Sequence, residues 1–181
     1  DLLREKISPN TLIVNVQGDE PLIDPGNIDF LLEKALVNYH DFEIVTLYQK
    51  HNGSEGILKA EDPNCCKLVT GLSHRVLYGS RSTIPFTRNR DNSDHEKNIL
   101  KEHIGVFVYR REWLQKLLNS KDTPLQLTED IEWLKTLELD GKILAYAAPY
   151  QCYLGVNTPD DLIKIQSILA SDYNVLTKSC D

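Results

Sequence analysis

The stretch Leu12-Ile13-Val14-Asn15-Val16-Gln17-Gly18-Asp19-Glu20-Pro21 constrains the fold more than any other part of the chain. A short, β-rich apolar run that breaks into glycine and acids is the pattern of a central strand in an α/β sheet. The reading therefore expects a buried strand around residues 11–16. Groups just beyond its carboxyl end then sit at the sheet edge where open α/β folds bind ligands. Asp19 is placed there to hold a divalent ion and Gln17 to touch a substrate, while Gly18 lets a ligand approach the backbone. The plainer alternative is that Asp19 caps a turn and Glu20 is solvated.

The remaining pattern alternates. Asp24 as N-cap and Pro25 as first residue start a helix in which Ile28, Leu31, Leu32, Ala35 and Leu36 share a face, through about residue 39. A strand is expected over 43–48, a short helix over 54–60, and a hairpin over 65–70 and 75–79 around a Gly71-Leu72-Ser73 turn. Residues 80–97 read as a long polar loop of the kind that carries function. A strand over 102–109, a helix over 111–118, a longer helix from Pro124 to about Leu139 and a strand over 143–147 follow. A last helix, capped by Thr158, runs from Pro159 to about Ala170, with 172–181 as a tail. Strands alternating with helices imply a mostly parallel sheet with helices on both faces, in one domain over 1–181. The hairpin and return strand, about 65–110, look like a β insertion.

Composition limits the function classes. The chain has 181 residues, 41% hydrophobic and 26% charged, with a net charge of -7. That acidic balance argues against a general nucleic-acid binder. No apolar run reaches the ~20 residues needed to cross a membrane, so no membrane insertion is expected. Cys65, Cys66, Cys152 and Cys180 lack metal-ligand spacing and are expected to be reduced residues of a cytoplasmic protein. The histidines at 40, 51, 74 and 95 show no ligand spacing either. The chain has no methionine and opens on Asp1-Leu2-Leu3-Arg4-Glu5-Lys6-Ile7, a pattern of a helix tail, so further residues are expected upstream.

The string Val14 to Ile23 resembles the motif of the 3-deoxy-manno-octulosonate (Kdo) cytidylyltransferases, which make CMP-Kdo for lipopolysaccharide. Four further strings resemble that family in order, and a fifth closes the series. Asp62-Pro63-Asn64-Cys65-Cys66-Lys67 resembles Asn-Pro-Asn…Val-Lys. Tyr78 to Pro85 resembles Tyr-Phe-Ser-Arg-Ser-x-Ile-Pro. His103 to Arg110 resembles His-Ile/Leu-Gly-Ile-Tyr-x-Tyr-Arg. Pro124 to Lys135 tracks Pro-Leu-Glu-x-x-Glu-x-Leu-Glu-x-Leu-Arg. Gly155-Val156-Asn157-Thr158-Pro159-Asp160-Asp161-Leu162 resembles Gly-Val-Asp-Thr-Pro-Glu-Asp-Leu.

This resemblance implies a three-layer α/β/α nucleotidyltransferase fold (Rossmann-like, GT-A type) with an inserted β subdomain, a homodimer formed partly through that insertion, and Mg²⁺ as cofactor. The implied reaction is attack of the sugar's anomeric hydroxyl on the α-phosphate of CTP. Asp19 is implied as catalytic residue and metal ligand. The second metal position is Asn157 here, where the family has Asp; an amide oxygen can coordinate but carries no charge. Substrate contacts are expected from Gln17 and Arg81 to the sugar carboxylate, with Arg88 and Arg90 behind them. His103 is expected to donate to a sugar hydroxyl, Glu129 to accept from sugar hydroxyls, and Tyr109 to assist. Lys67 is read as a solvated hairpin residue and Trp133 as core. The family's first strand and its Arg…Leu-Pro-Gly-Lys triphosphate loop are not among these residues, so the sheet is expected to lack its first strand. The alternatives are a truncated or degenerate homologue that binds a sugar acid or a partner without turnover, and a cytidylyltransferase for 8-amino-Kdo or a sialic-type sugar.

Overall fold

The computed structural model describes residues 8, 10–86, 88, 100–152 and 155–178. Expectations on residues 1–7, on Arg90 and His95, on most of the 80–97 loop and on Cys180 lie outside these.

The elements follow the sequence in the order β1 (Leu12–Val16), α1 (Pro25–Val37), β2 (Ile44–His51), α2 (Gly53–Glu61), β3 (Lys67–Thr70), β4 (Val76–Ser80), β5 (Leu100–Arg110), α3 (Arg111–Asn119), α4 (Pro124–Glu129), α5 (Leu134–Glu138), β6 (Ile143–Ala147) and α6 (Pro159–Lys178). The expected caps are present. Asp24 Oδ1 accepts from Gly26 N at 2.7 Å. At α6, Thr158 Oγ1 accepts from Asp161 N while Asp161 Oδ2 accepts from Thr158 N, a reciprocal box that closes the first turn.

β5 organises the sheet, whose order is β4-β3-β5-β2-β6. β2 runs along one side of β5. On the other side β3 pairs at Lys67↔Glu102 and β1 pairs over residues 106–110, end to end along one long strand. Side chains alternate between two cores. Ile44, Phe107, Tyr109, Ile143 and Ala145 face α3 and α5, while Val45, Val106, Val108 and Leu144 face Leu31 and Ala35 of α1. The result is three layers, helix on sheet on helix.

Several expectations are corrected. The sheet is mixed: among the described strands only β2 and β6 pair in parallel, because β5 runs against every strand it touches. Among the described strands β1 pairs with β5 only, and Val14 and Val16 are 37% and 38% exposed. The expected β region at 65–110 is not among these corrections: it is joined to the sheet through β5, where His103 N also donates to Cys66 O. The helix expected from Pro124 to Leu139 breaks into α4 and α5. Asp130 between them adopts a left-handed conformation (φ 52°), which Asp tolerates, and Arg81 takes the carbonyls of both Glu129 and Asp130. α6 continues to Lys178 rather than ending near Ala170, as no Gly or Pro interrupts it. Lys67 is fully buried: its Nζ donates to Asp62 O at 2.8 Å and to Arg81 O, and burial lowers its pKa.

Candidate functional site

A bulge in β5 builds the site. Thr46 of β2 pairs with Phe107, but the next residue, Leu47, pairs with Ile104. Gly105 and Val106 therefore lie off that ladder, and their backbone groups need other partners. Gly105 O accepts from Gln17 N at 2.9 Å, and Gly105 N donates to Glu20 Oε1 at 3.0 Å. Val106 O accepts from the Thr46 hydroxyl at 2.8 Å. The turn after β1 is thus hung on the bulge. A glycine is needed there: a Cβ on Gly105 would lie 2.2 Å from Gln17 Oε1.

Beside the bulge opens a cavity of about 480 Å³, lined by Gln17, Asp19, His103, Tyr109, Arg81 and Asn157 among others. Asp19 and Asn157 are far apart in sequence but meet here. Val156 N donates to Asp19 O at 2.8 Å, and Gly155 sits close against that carbonyl. The strand end and the turn before α6 are therefore stitched together, with both oxygen-bearing side chains exposed on the cavity wall. Carboxylates outnumber cations around this wall, and its Lys59 and Arg81 already have partners.

His103 has its role narrowed by geometry. Its Nε2 lies 3.0 Å from Thr46 Oγ1. The one hydroxyl proton of Thr46 goes to Val106 O, so the ring must donate from Nε2 and keep Nδ1 as an acceptor. Burial pushes its pKa down to about 3, so the ring stays neutral. It can accept from a sugar hydroxyl but has no proton on Nδ1 to donate, which reverses the direction expected from sequence. Tyr109, 9% exposed, bonds the Asn15 side chain, and burial raises its pKa.

Arg81, on the cavity wall, and Glu129, behind it, are both bound within the protein. The Arg81 guanidinium donates to Glu129 O at 2.8 Å, Pro63 O at 3.1 Å and Asp130 O at 2.9 Å. The Glu129 carboxylate accepts from Tyr78 OH at 3.0 Å, Ser80 Oγ at 2.7 Å and Arg81 N at 3.0 Å, and lies outside the cavity lining. These contacts close a knot between β4 and α4. Arg88 is exposed.

Sequence reasoning did not single out the charged group at the far end of the cavity. Glu102 Oε2 lies 2.5 Å from His51 Nε2, and Oε1 accepts from Lys59 Nζ at 2.9 Å. His51 Nδ1 is 3.1 Å from Glu55 Oε1, an ion pair off the hydrogen-bonding direction. Against the desolvation that opposes it, this pairing holds Glu102 down to about 2 and raises His51 above 6.5. The depressed carboxylate stabilises the fold above its ordinary value of 4.5, and that stability fades as pH falls toward 2. The raised imidazole stabilises below 6.5 and fades as pH rises through its folded value. The pairs tying β2 and α2 to β5 are therefore strongest between 4.5 and 6.5. His51→Gln is expected to lower the melting temperature more at pH 5.5 than at pH 8.5; an equal drop at both would refute the pairing. The nearby thiols are quiet: burial pushes Cys66 and Cys152 up to about 12.

No helix among the described residues is long and apolar enough to cross a membrane. No group of three or more His, Cys, Asp or Glu side chains among them forms a metal cluster.

Comparison with known proteins places this geometry. A family model described as Cytidylyltransferase matches residues 4–144. The 3-deoxy-manno-octulosonate cytidylyltransferase of Pseudoalteromonas translucida (strain TAC 125) is 32% identical over 176 residues, covering 96% of this chain and 67% of the relative. That of Pelobacter propionicus (strain DSM 2379 / NBRC 103807 / OttBd1) is 36% identical over 159 residues, covering 84% of this chain and 60% of the relative. A solved structure of CMP:2-keto-3-deoxy-manno-octonic acid synthetase complexed with CTP superposes with a TM-score of 0.76 at 28% identity, covering 89% of this chain and 62% of that one. The chain thus spans roughly three fifths to two thirds of the length of the proteins it matches. With matches running through the bulge, the turn on it and both cores, the chain belongs to the cytidylyltransferase family, among the 3-deoxy-manno-octulosonate cytidylyltransferases.

Proposed function

We propose that the chain forms the sugar and metal side of an active site that transfers CMP from CTP to the anomeric hydroxyl of Kdo, releasing pyrophosphate, for lipopolysaccharide biosynthesis. The observation that carries this reading is the meeting of Asp19 and Asn157 on one cavity wall, joined by the Val156–Asp19 backbone bond. The names of the relatives support the substrates, CTP and Kdo.

The donor set fits Mg²⁺: one carboxylate and one amide carbonyl are hard oxygen ligands, and this ion is usually held by one or two such groups plus substrate. Asp19 and Asn157 would hold it. When bound, the ion supplies charge neutralisation at the phosphate and lowers the pKa of the attacking hydroxyl. The chain's own residues orient the sugar. Gln17 sits over the bulge to meet polar groups of the sugar acid, neutral His103 accepts a hydrogen bond from a sugar hydroxyl, and Tyr109 bounds the pocket. Arg81, Glu129 and Lys67 hold the wall against which the sugar rests, which is where most of the catalytic benefit of positioning arises.

The homodimer belongs to the same proposal. Leu72 and Leu77 of the β3–β4 hairpin are exposed and offer an apolar contact for a second copy. A CTP-consuming enzyme of this kind works in the cytoplasm.

The test is pyrophosphate release from CTP, Kdo and Mg²⁺, measured on the protein as its gene encodes it. Release confirms the activity. No release leaves a homologue that binds a sugar acid without turnover, for which Asn157 is the favouring feature. Asn157→Asp restores a full negative charge beside the proposed cation and is expected to lower the Mg²⁺ concentration for half-maximal rate several-fold. An unchanged Mg²⁺ dependence removes residue 157 from the metal site.

A further inference from the structure

We propose that Glu20 is a positioning residue for Asp19: its carboxylate, bound to the bulge amide of Gly105, fixes the Gln17–Glu20 turn that carries Asp19 onto the cavity wall. This rests on the reading of Asp19 given above, and it sets aside the plainer alternative in which Glu20 is solvated.

Three observations support it. First, the turn hangs on the bulge by two bonds, Gln17 N to Gly105 O at 2.9 Å and Gly105 N to the Glu20 carboxylate at 3.0 Å. Among the described strands β1, five residues long, pairs with β5, and its ladder ends at Val16↔Val106, where the turn begins. Second, the Glu20 contact is directed. Glu20 Oε1 accepts from Gly105 N at 3.0 Å across 85 residues of sequence, while Glu20 N donates to Gln17 O at 3.1 Å and closes the turn on itself. Gly105 is buried and its amide is displaced from the β2 ladder, so without Glu20 that donor would be left unpaired. Third, Asp19 is pinned from the other side by Val156 N. Glu20 and Val156 thus hold the residue between β5 and the turn before α6.

A carboxylate next to Asp19 could instead act as a further metal ligand. The two roles need different chemistry. A ligand role uses the negative charge, whereas a positioning role uses an acceptor oxygen, which the amide of glutamine also supplies. Glu20→Gln should therefore behave much like the unaltered protein and Glu20→Ala should not.

The experiment compares the two variants by amide hydrogen exchange at Gly105 and by steady-state kinetics with CTP, Kdo and Mg²⁺. Glu20→Ala is expected to raise the exchange rate of Gly105 N–H at least about tenfold and to lower kcat by about 10–100-fold, the scale of a small misplacement of a reacting group. Its KM for CTP should change little. Glu20→Gln is expected to restore most of the Gly105 protection and to keep kcat within about threefold, with an unchanged Mg²⁺ requirement. Unchanged Gly105 exchange in Glu20→Ala overturns the proposal. So does a Glu20→Gln variant with restored protection but the activity of Glu20→Ala, since that outcome makes charge the active property. If the unaltered protein releases no pyrophosphate, the cytidylyltransferase reading fails, while the exchange data still decide whether Glu20 holds the turn.

Discussion

Asp19→Ala is expected to lower pyrophosphate release by about 10²–10³-fold, the loss typical of removing one preorganised electrostatic stabiliser of a transition state. Stability should hardly move. The fold holds Asp19 by its backbone: the carbonyl that accepts from Val156 survives in alanine, and the exposed side chain is directed away from both cores. Surface substitutions of this kind usually fall within about 0.5 kcal/mol. Far-UV circular dichroism and thermal melting should therefore overlay those of the unaltered protein while turnover collapses. A melting temperature that falls together with activity would mean that Asp19 builds the turn and does not serve the cation, and the metal assignment would go with it.

What could be read from the chain, and what could not, follows from the range of the interactions involved. Asp24 with Pro25, and Thr158 with Asp161, mark helix starts through bonds that reach only two or three residues, so the local sequence carries the whole signal. The strand at Leu12–Val16 is legible for the same reason, but the strand it pairs with is not. β1 pairs antiparallel with β5, which lies far along the chain, and no local pattern names that neighbour. The break between α4 and α5 is invisible locally because its cause is Arg81, whose guanidinium draws off two carbonyls 48 and 49 residues away. Lys67 shows the same limit. A lysine on a hairpin reads as solvated until two loop carbonyls, Asp62 O and Arg81 O, are folded around it.

The site divides along that line as well. Gln17, Asp19, His103, Tyr109, Arg81 and Asn157 all line one cavity, and Glu129 does not. Their individual duties depend on partners that the motif does not name. His103 is left an acceptor at Nδ1 because Thr46 Oγ1 accepts from its Nε2–H, and Thr46 is free to do so because the bulge at Gly105–Val106 releases a carbonyl for its own hydroxyl. Gln17 and Glu20 are both drawn to Gly105, a dependence that appears only when the bulge is seen. The Glu102–His51–Lys59 group lies on three separate elements and has no sequence pattern at all.

Glu129 gives the sharpest contrast between a residue's motif and its surroundings, and its replacement is expected to have the largest effect on stability. In Glu129→Ala, Tyr78 OH, Ser80 Oγ and Arg81 N lose their common acceptor at once. Hydrogen bonds to a charged group contribute about 1.5–3 kcal/mol each, but they do not add fully and the site is partly solvated, so a net loss of about 2–4 kcal/mol is expected. For a chain of this size the melting temperature falls by roughly 2–4 °C per kcal/mol. The pH dependence supplies an independent check. Despite some desolvation, these three donors hold the Glu129 carboxyl below its ordinary value of 4.5. The stability it contributes is therefore present above pH 4.5 and is lost as pH falls through its folded value. The gap between Glu129→Ala and the unaltered protein should be wide at pH 7 and narrow under acid conditions. A sugar-binding role makes the opposite forecast, a raised KM for Kdo at constant melting temperature. That pattern would remove Glu129 from the knot between β4 and α4 and return it to the pocket.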